Sequence, residues 1–290
     1  MKYIVISPVR DEEKHVQRTL ESMARQSVKP VRWIIVDDGS RDRTPEMLDR
    51  YEEEVDFVSV VRDRGGQVRQ PGAAVVRAFN RGYEAARGLD YDLIVKLDCD
   101  LSFEADYFER LLGQFEADPK LGIASGVYFE SPDGLTWREV AMPSYHAAGA
   151  SKVLRRTCFE QIGGFVPVRG WDTVDEIRAM ARGWRTRHFR ELKMKHWKPE
   201  GTGIGALRTN FMHGEVYYRT SGSKAFFLLK VAHRLTCRPL LIGGLALFWG
   251  YARTMLGRQE RLVTREEARC YRALLIGRMT GRLKGLLQTA

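Results

Sequence analysis

Cysteine is scarce in this 290-residue chain: Cys99, Cys158, Cys237 and Cys270 stand far apart, with no CxxC pair among them. That pattern gives no zinc site and no disulfide framework, and it suits a reduced, cytosolic setting. Long hydrophobic runs are missing too. The longest uncharged stretch, PLLIGGLALFWGYA at 239–252, has 14 residues, short of the ~20 that span a bilayer and better suited to a buried or interfacial helix. YIVIS at 3–7 is too short for a secretory signal and runs straight into charge, so it reads as a first strand. No GxGxxG follows a strand, and no GxxxxGK precedes a Ser or Thr, which removes support for nicotinamide cofactors and for P-loop chemistry. Internal repeats and low-complexity segments are absent as well.

Acidic residues thin out along the chain. Residues 1–179 hold 25 Lys and Arg against 31 Asp and Glu, whereas residues 180–290 hold 22 against six. A mildly acidic body carrying a basic C-terminal third points to an anionic partner, either nucleic acid or a membrane surface. No nucleic-acid module is recognisable. KAFFLLKVAHRL (224–235), the 14-residue apolar run and a basic amphipathic helix over 264–287 have instead the composition of segments lying in the plane of an anionic membrane. That last helix opens on a capping box, Thr264 to Glu267, and places Tyr271, Leu274, Leu275, Met279, Leu286 and Leu287 on one side. The expected organisation is a catalytic domain over 1–215 and a basic helical region over 216–290. Packing of these helices on the catalytic domain or on a second subunit is the alternative.

What is present in the first half is an alternation of short apolar runs with helical patterns. Strands are expected at 3–7, 33–36, 57–61, 93–97 and 123–129. Between them, Val16, Leu20 and Met23 recur at helical spacing, and Thr44-Pro45 reads as an N-cap followed by Pro at the first helical position. Residues 73–87 are helix-prone, and Phe103, Tyr107, Phe108, Leu111, Leu112 and Phe115 form one apolar helical stripe. The fold class expected is α/β with a mostly parallel sheet. Such sheets bind ligands beyond the carboxyl ends of their strands. There the chain places PVRDEE (8–13), DDGS (37–40) and DCD (98–100), three acidic clusters bound for one crevice.

Carboxylates without a phosphate-cradling loop suggest a metal ion holding the phosphates. Asp98 and Asp100 can offer hard oxygen ligands to Mn²⁺ or Mg²⁺. Asp37 and Asp38 can accept from a base or from ribose hydroxyls. Taken singly, each has an ordinary explanation, a solvated turn for the first pair and an Asp-Gly turn for the second.

Several motifs follow one another in order: SPVRDEEKHVQRTLESMARQ (7–26), IIVDDGSRDRT (34–44), AFNRGYEAA (78–86), LIVKLDCDLSFEADYFERLL (93–112), GGF (163–165) and GWDTVDEIRAMARGW (170–184). The series resembles family 2 glycosyltransferases over about two thirds of the chain. The resemblance implies a GT-A fold, a UDP- or GDP-sugar donor, a divalent metal and inversion at the anomeric carbon. It also implies that Pro8, Arg10 and Glu12 touch the nucleotide, with Asp11 standing where Asn is commoner, and that Asp37 and Asp38 contact base and ribose. Asp98 and Asp100 match the family's DxD pair, Asp100 being the direct metal ligand. The family's base is the Asp of a Glu-Asp pair; here the pair reads Trp171-Asp172. Counting back from Arg178 gives Asp172, with Asp175 as runner-up. A positioned Asp accepts the acceptor's proton while metal steadies the diphosphate, and at a helix N-terminus the dipole favours negative charge; a simple N-cap is the ordinary alternative.

The Gln-x-x-Arg-Trp motif of the processive members is absent, which favours addition of a single sugar. His146, His196 or His213 could approach the acceptor or complete the metal shell. The expectation is a metal-dependent hexosyltransferase acting on a glycan or lipid-linked precursor of the cell envelope or of an exopolysaccharide. It would sit at the inner face of the plasma membrane, with no nucleic acid as partner. A polyprenyl-phosphate sugar synthase is a second reading, and a degenerate sugar-nucleotide-binding scaffold a third.

Overall fold

The computed structural model describes residues 1–62, 72–131, 133–199 and 204–288, with side chains up to Thr280. The chain forms two compact units. The first comprises Met1–Ala179 and Gly183–Pro199, the second Met180–Arg182 and the chain beyond Pro199.

The first unit begins β1 (Tyr3–Val9), α1 (Val16–Ala24), β2 (Arg32–Asp37), α2 (Thr44–Glu54), β3 (Val58–Arg62), α3 (Ala73–Ala85) and β4 (Leu93–Leu97). It continues through β5 (Leu101–Phe103), α4 (Tyr107–Ala117), β6 (Leu121–Glu130), β7 (Arg138–Glu139), β8 (Ser151–Arg155), α5 (Arg156–Gln161), α6 (Trp171–Ala181) and β9 (Arg185–His196). The strands make one sheet in the order β3-β2-β1-β4-β8-β6-β9-β5, with β7 paired to β6. From β3 to β4 all neighbours are parallel. Beyond β4 the sheet is mixed, since β8 runs antiparallel to both β4 and β6, and β9 runs parallel to β6. The apolar runs are continuous because both sheet faces are covered. Tyr3, Val5, Trp33, Ile35, Leu93 and Val95 enter one buried layer; Ile4, Ile6, Ile34, Val36 and Ile94 enter the other. On this second face α3 lies close, and a Cβ on Gly82 would stand 2.5 Å from the Ile6 side chain.

Two local expectations are corrected. Phe103 does not belong to the helical stripe; it ends β5, paired with Met194, and the helix starts at Tyr107. Thr44 does not cap α2 with its side chain: its hydroxyl accepts from the Glu12 amide at 2.9 Å, and the Asp42 carboxylate accepts from the Thr44 amide. Strands β8 and β9 were not expected from the sequence.

The second unit holds α7 (Ala206–Arg219), α8 (Lys224–Leu235), α9 (Ile242–Leu256) and α10 (Arg265–Gln288). The backbones of α7 and α9 touch through glycine: a Cβ on Gly214 would lie 2.0 Å from the Leu247 carbonyl oxygen, and one on Gly250 2.0 Å from that of Phe211. Tyr217, Phe227 and Tyr251 stack beside that crossing. The capping box is present, with the Thr264 amide donating to Glu267 Oε2 and the Glu267 amide donating to Thr264 Oγ1. Tyr271 and Leu275 are buried, Leu274 and Met279 half-buried, while the Leu286 and Leu287 side chains lie outside the described residues. Among the described residues, no helix is long and apolar enough to cross a membrane. Large apolar side chains nonetheless stand exposed, including Leu228 and Leu229 on α8, Leu240 and Leu241 in the connection, and Leu245 and Trp249 on α9. Charge follows this division. Residues 1–199 carry 32 acidic and 32 basic side chains, because β9 alone contributes five cations, and residues 200–290 carry 15 Lys and Arg against five Asp and Glu.

Candidate functional site

Parallel pairing of β2, β1 and β4 brings their carboxyl ends to one edge of the sheet, where the acidic clusters lie. The loops after β1 and β2 are laced together. The Asp11 amide donates to Ser40 Oγ and the Arg41 amide to Asp11 Oδ1, while the Glu13 amide donates to Asp42 and the Arg43 amide to Glu13. Asp11 takes a positive φ of 54°, a conformation that Asn and Asp tolerate best after glycine. Gly39, at φ 76°, turns the second loop.

Pro8 is half-buried and opposite Val36 in the ladder. Asp37 ends β2 almost wholly buried; one of its oxygens accepts from the Ser40 amide at 2.9 Å and the other lies 3.8 Å from Arg62. Asp38 is more open and sits between two arginines, Arg81 at 2.5 Å and Arg10 at 3.9 Å. Glu12 pairs with Lys198. Burial pushes the Glu12 carboxyl above its ordinary range against the pull of Lys198, and the nearby charges of Asp100 and Asp98 push the same way. These three carboxylates therefore share one crevice.

Asp98 is one-third exposed and accepts from Lys96, whose ammonium is buried in β4. Burial holds Asp98 above its ordinary range despite that lysine. Asp100 is buried, and its Oδ1 has no hydrogen-bond partner. Its Oδ2 lies 3.4 Å from His196 Nε2, and His196 Nδ1 lies 2.8 Å from Glu130. Burial alone would favour the neutral imidazole, but Asp100 and Glu130 push His196 up to about 10. Among the described residues, no three His, Cys, Asp or Glu side chains are grouped as a metal cage. The residues nonetheless fit a hard cation. Mg²⁺ in particular is commonly held by one or two carboxylates with substrate phosphates completing the shell, and the partnerless, buried Asp100 oxygen lacks such a charge.

The structure separates the two candidates for the base. Asp175 is fully buried, with both oxygens 3.0 Å from the Lys152 ammonium. Burial raises its pKa to about 8 against the pull of Lys152. Asp172, in the first turn of α6, remains partly exposed. Its carboxylate faces Gly149, where a Cβ would lie 3.4 Å from Asp172 Oδ2. The Gly149 carbonyl accepts from Lys96 at 2.9 Å, and Lys96 also donates to Asp98, so Lys96 and Gly149 stand between Asp98 and the Asp172 carboxylate. His146 is not at the Asp98–Asp100 pair; its Nδ1 lies 2.9 Å from Glu176. His213 belongs to α7 in the second unit.

Lys96, Lys152, Arg62, Arg81 and Glu130 escape sequence reasoning. Lys96 alone left a trace, a cation inside the apolar run LIVKL.

Residues 4–199 match the family described as Glycosyl transferase family 2. Glycosyltransferase AglD of Haloferax volcanii is 28% identical over 274 residues, which cover 84% of this chain and 40% of that protein. A putative glycosyltransferase, EpsH of Bacillus subtilis, is 33% identical over 104 residues, 36% of this chain and 27% of that one. The chain thus spans less than half the length of these curated relatives. Among solved structures, the mannosyltransferase PcManGT from Pyrobaculum calidifontis, in complex with GDP-Man and Mn²⁺, superposes with a TM-score of 0.57 at 17% identity over 88% of this chain and 73% of that one. TarS 1–349 of S. aureus, in complex with UDP-GlcNAc, gives 0.56 at 13% identity over 89% and 73%. At such identities the likeness carries the fold alone, which is GT-A. With the family match over two thirds of its length, the chain belongs to family 2 of the glycosyl transferases.

Proposed function

We propose that the chain is an inverting, metal-dependent hexosyltransferase that moves one sugar from a UDP- or GDP-sugar to a hydroxyl of a glycan or lipid-linked acceptor of the cell envelope. The observation that carries this reading is the placement of Lys96 and Gly149 between Asp98 and the partly exposed Asp172. It supports a reading in which a donor-side carboxylate and an open base stand near one another. Pro8, Arg10 and Glu12 line the nucleotide site, and Asp37 and Asp38 contact base and ribose, Asp37 also accepting from the Ser40 amide in the turn. Asp98 and Asp100 would hold Mn²⁺ or Mg²⁺, which when bound supplies Lewis-acid charge for the departing diphosphate. Asp172 takes the proton of the acceptor hydroxyl as it attacks from the face opposite the leaving group. One in-line displacement inverts the anomeric centre.

The test is thermal unfolding with UDP or GDP, each with Mn²⁺, Mg²⁺ or EDTA, alongside Asp100→Ala. A ligand at 100 times its Kd stabilises the fold by about 2.7 kcal/mol. We expect one nucleotide to raise Tm with metal present, and the rise to vanish with EDTA and in the variant. No response to either nucleotide would sink the metal-dependent transferase reading, whereas nucleotide binding without transfer to any acceptor would favour the scaffold.

For the second unit we propose peripheral attachment to an anionic membrane on the cytoplasmic side. The exposed leucines and Trp249 of α8 and α9 stand in a segment with three times as many cations as acids, a composition that suits interfacial binding. Leu245→Glu combined with Trp249→Glu should abolish co-sedimentation with vesicles rich in phosphatidylglycerol. Equal binding by the double variant would end the proposal.

A further inference from the structure

The register of β4 against β8 sets Lys96 directly opposite Lys152. Both lie on the face occupied by Ile94 and Leu154, inside the second apolar layer. Like charges at directly paired positions repel, and burying an ammonium carries a large desolvation cost. Yet both lysines are almost wholly buried. Apolar side chains of similar length would fill this layer at less cost, since replacing a buried ion pair by packed hydrophobics is often neutral or stabilising. Stability alone therefore does not account for the pair.

Their partners do. Lys96 Nζ donates to the Asp98 carboxylate and to the Gly149 carbonyl. Lys152 Nζ donates to the main-chain carbonyl of Asp172 at 2.7 Å, to both oxygens of Asp175 and to Glu176 at 3.2 Å. Both ammonium groups lie over the Trp171 indole, 5.5 and 5.4 Å from its centroid. One lysine thus holds the donor-side aspartate and the glycine against which the Asp172 carboxylate rests. The other holds the backbone of Asp172 itself.

We propose that Lys96 and Lys152 are positioning residues, a cross-strand lysine pair that fixes the span between Asp98 and the base Asp172. This rests on the assignment of Asp172 above. Neither lysine is asked to touch a reacting atom; each acts through another group.

The experiment follows turnover of UDP-N-acetylglucosamine and GDP-mannose with Mn²⁺, including the slow transfer to water, together with nucleotide Kd and Tm. Lys152→Met is expected to lower kcat at least tenfold while nucleotide Kd and donor KM stay within twofold. It should also lower Tm, because Asp175 and Glu176 lose their cation. Adding Asp175→Asn to Lys152→Met removes that buried imbalance, so Tm should recover while kcat stays low. Recovery of kcat in step with Tm would overturn the proposal and leave the lysine a purely structural role. Lys96→Met gives an independent arm that leaves the Asp175–Glu176 cluster untouched; it should lower kcat and weaken donor binding with the fold retained. Wild-type kcat in Lys96→Met would equally overturn the pair. A wild-type protein that binds no nucleotide would instead sink the transferase reading, a distinct failure.

Discussion

Asp172 and Asp175 are three residues apart on one helix, and burial sets them in different surroundings. Asp175 is enclosed with Lys152, whereas Asp172 remains partly exposed. Asp172→Asn should therefore lower kcat by about 10²–10⁴, the usual yield of a general base, with nucleotide binding unchanged in the thermal assay. If the acceptor is a phosphate, already ionised, the loss will be slight, and the same variant then selects the polyprenyl-phosphate reading. His146 supplies a pH test. Burial works against its charge, but Glu176 beside it raises the pKa above the ordinary 6.5, while His146 and Lys152 hold Glu176 low against burial. A histidine raised on folding stabilises fully below its unfolded pKa and loses that contribution as pH rises through the folded value. The Tm difference between wild type and His146→Gln should be largest near pH 6 and shrink as the pH rises beyond the ordinary histidine range. A difference that grows with pH would contradict the pairing.

At the scale of elements, the acidic strand ends were legible because a buried parallel strand is a plain apolar run, and whatever follows it sits at the crevice. Strand β9 was not legible. Its sequence RTRHFRELKMKH is dominated by charge, and the shift in its pairing between Gly126 and Val127 of β6 breaks the alternation. β8 hid for the opposite reason: SKVLR is buried almost throughout, Lys152 included, so no alternation marks it. Asp172 became the candidate base through the family's motif order, and its separation from Asp175 needed the burial of Lys152. The capping box of α10 was readable because it is local, as the Thr44 hydroxyl was not, its partner lying 32 residues away. The α7–α9 crossing gives a mutational test. A Cβ at Gly250 would meet backbone, which cannot swing aside, so Gly250→Ala should destabilise the second unit by about 1–3 kcal/mol or more. Chemical denaturation would show this as a lower midpoint; an unchanged midpoint would mean that the helices pack farther apart.

At the scale of the molecule, the net charge of +10 equals the balance of residues 200–290, since the first 199 cancel. Attachment driven by that charge should weaken with salt, because screening shortens to about 3 Å at 1 M ionic strength. Raising NaCl from 0.05 to 0.5 M should cut binding to anionic vesicles several-fold while leaving nucleotide affinity in solution nearly unchanged. Insensitivity to salt would assign the attachment to the leucines alone. A neutral catalytic unit has a further consequence. If the helical unit rests on the bilayer and the acceptor is lipid-borne, enzyme and acceptor meet within a thin shell at the membrane instead of in the whole cell volume. The encounter is then governed by an effective concentration that anionic lipid sets. Cells could thus change the rate of transfer by altering the headgroups beneath the enzyme, without altering the enzyme or its donor.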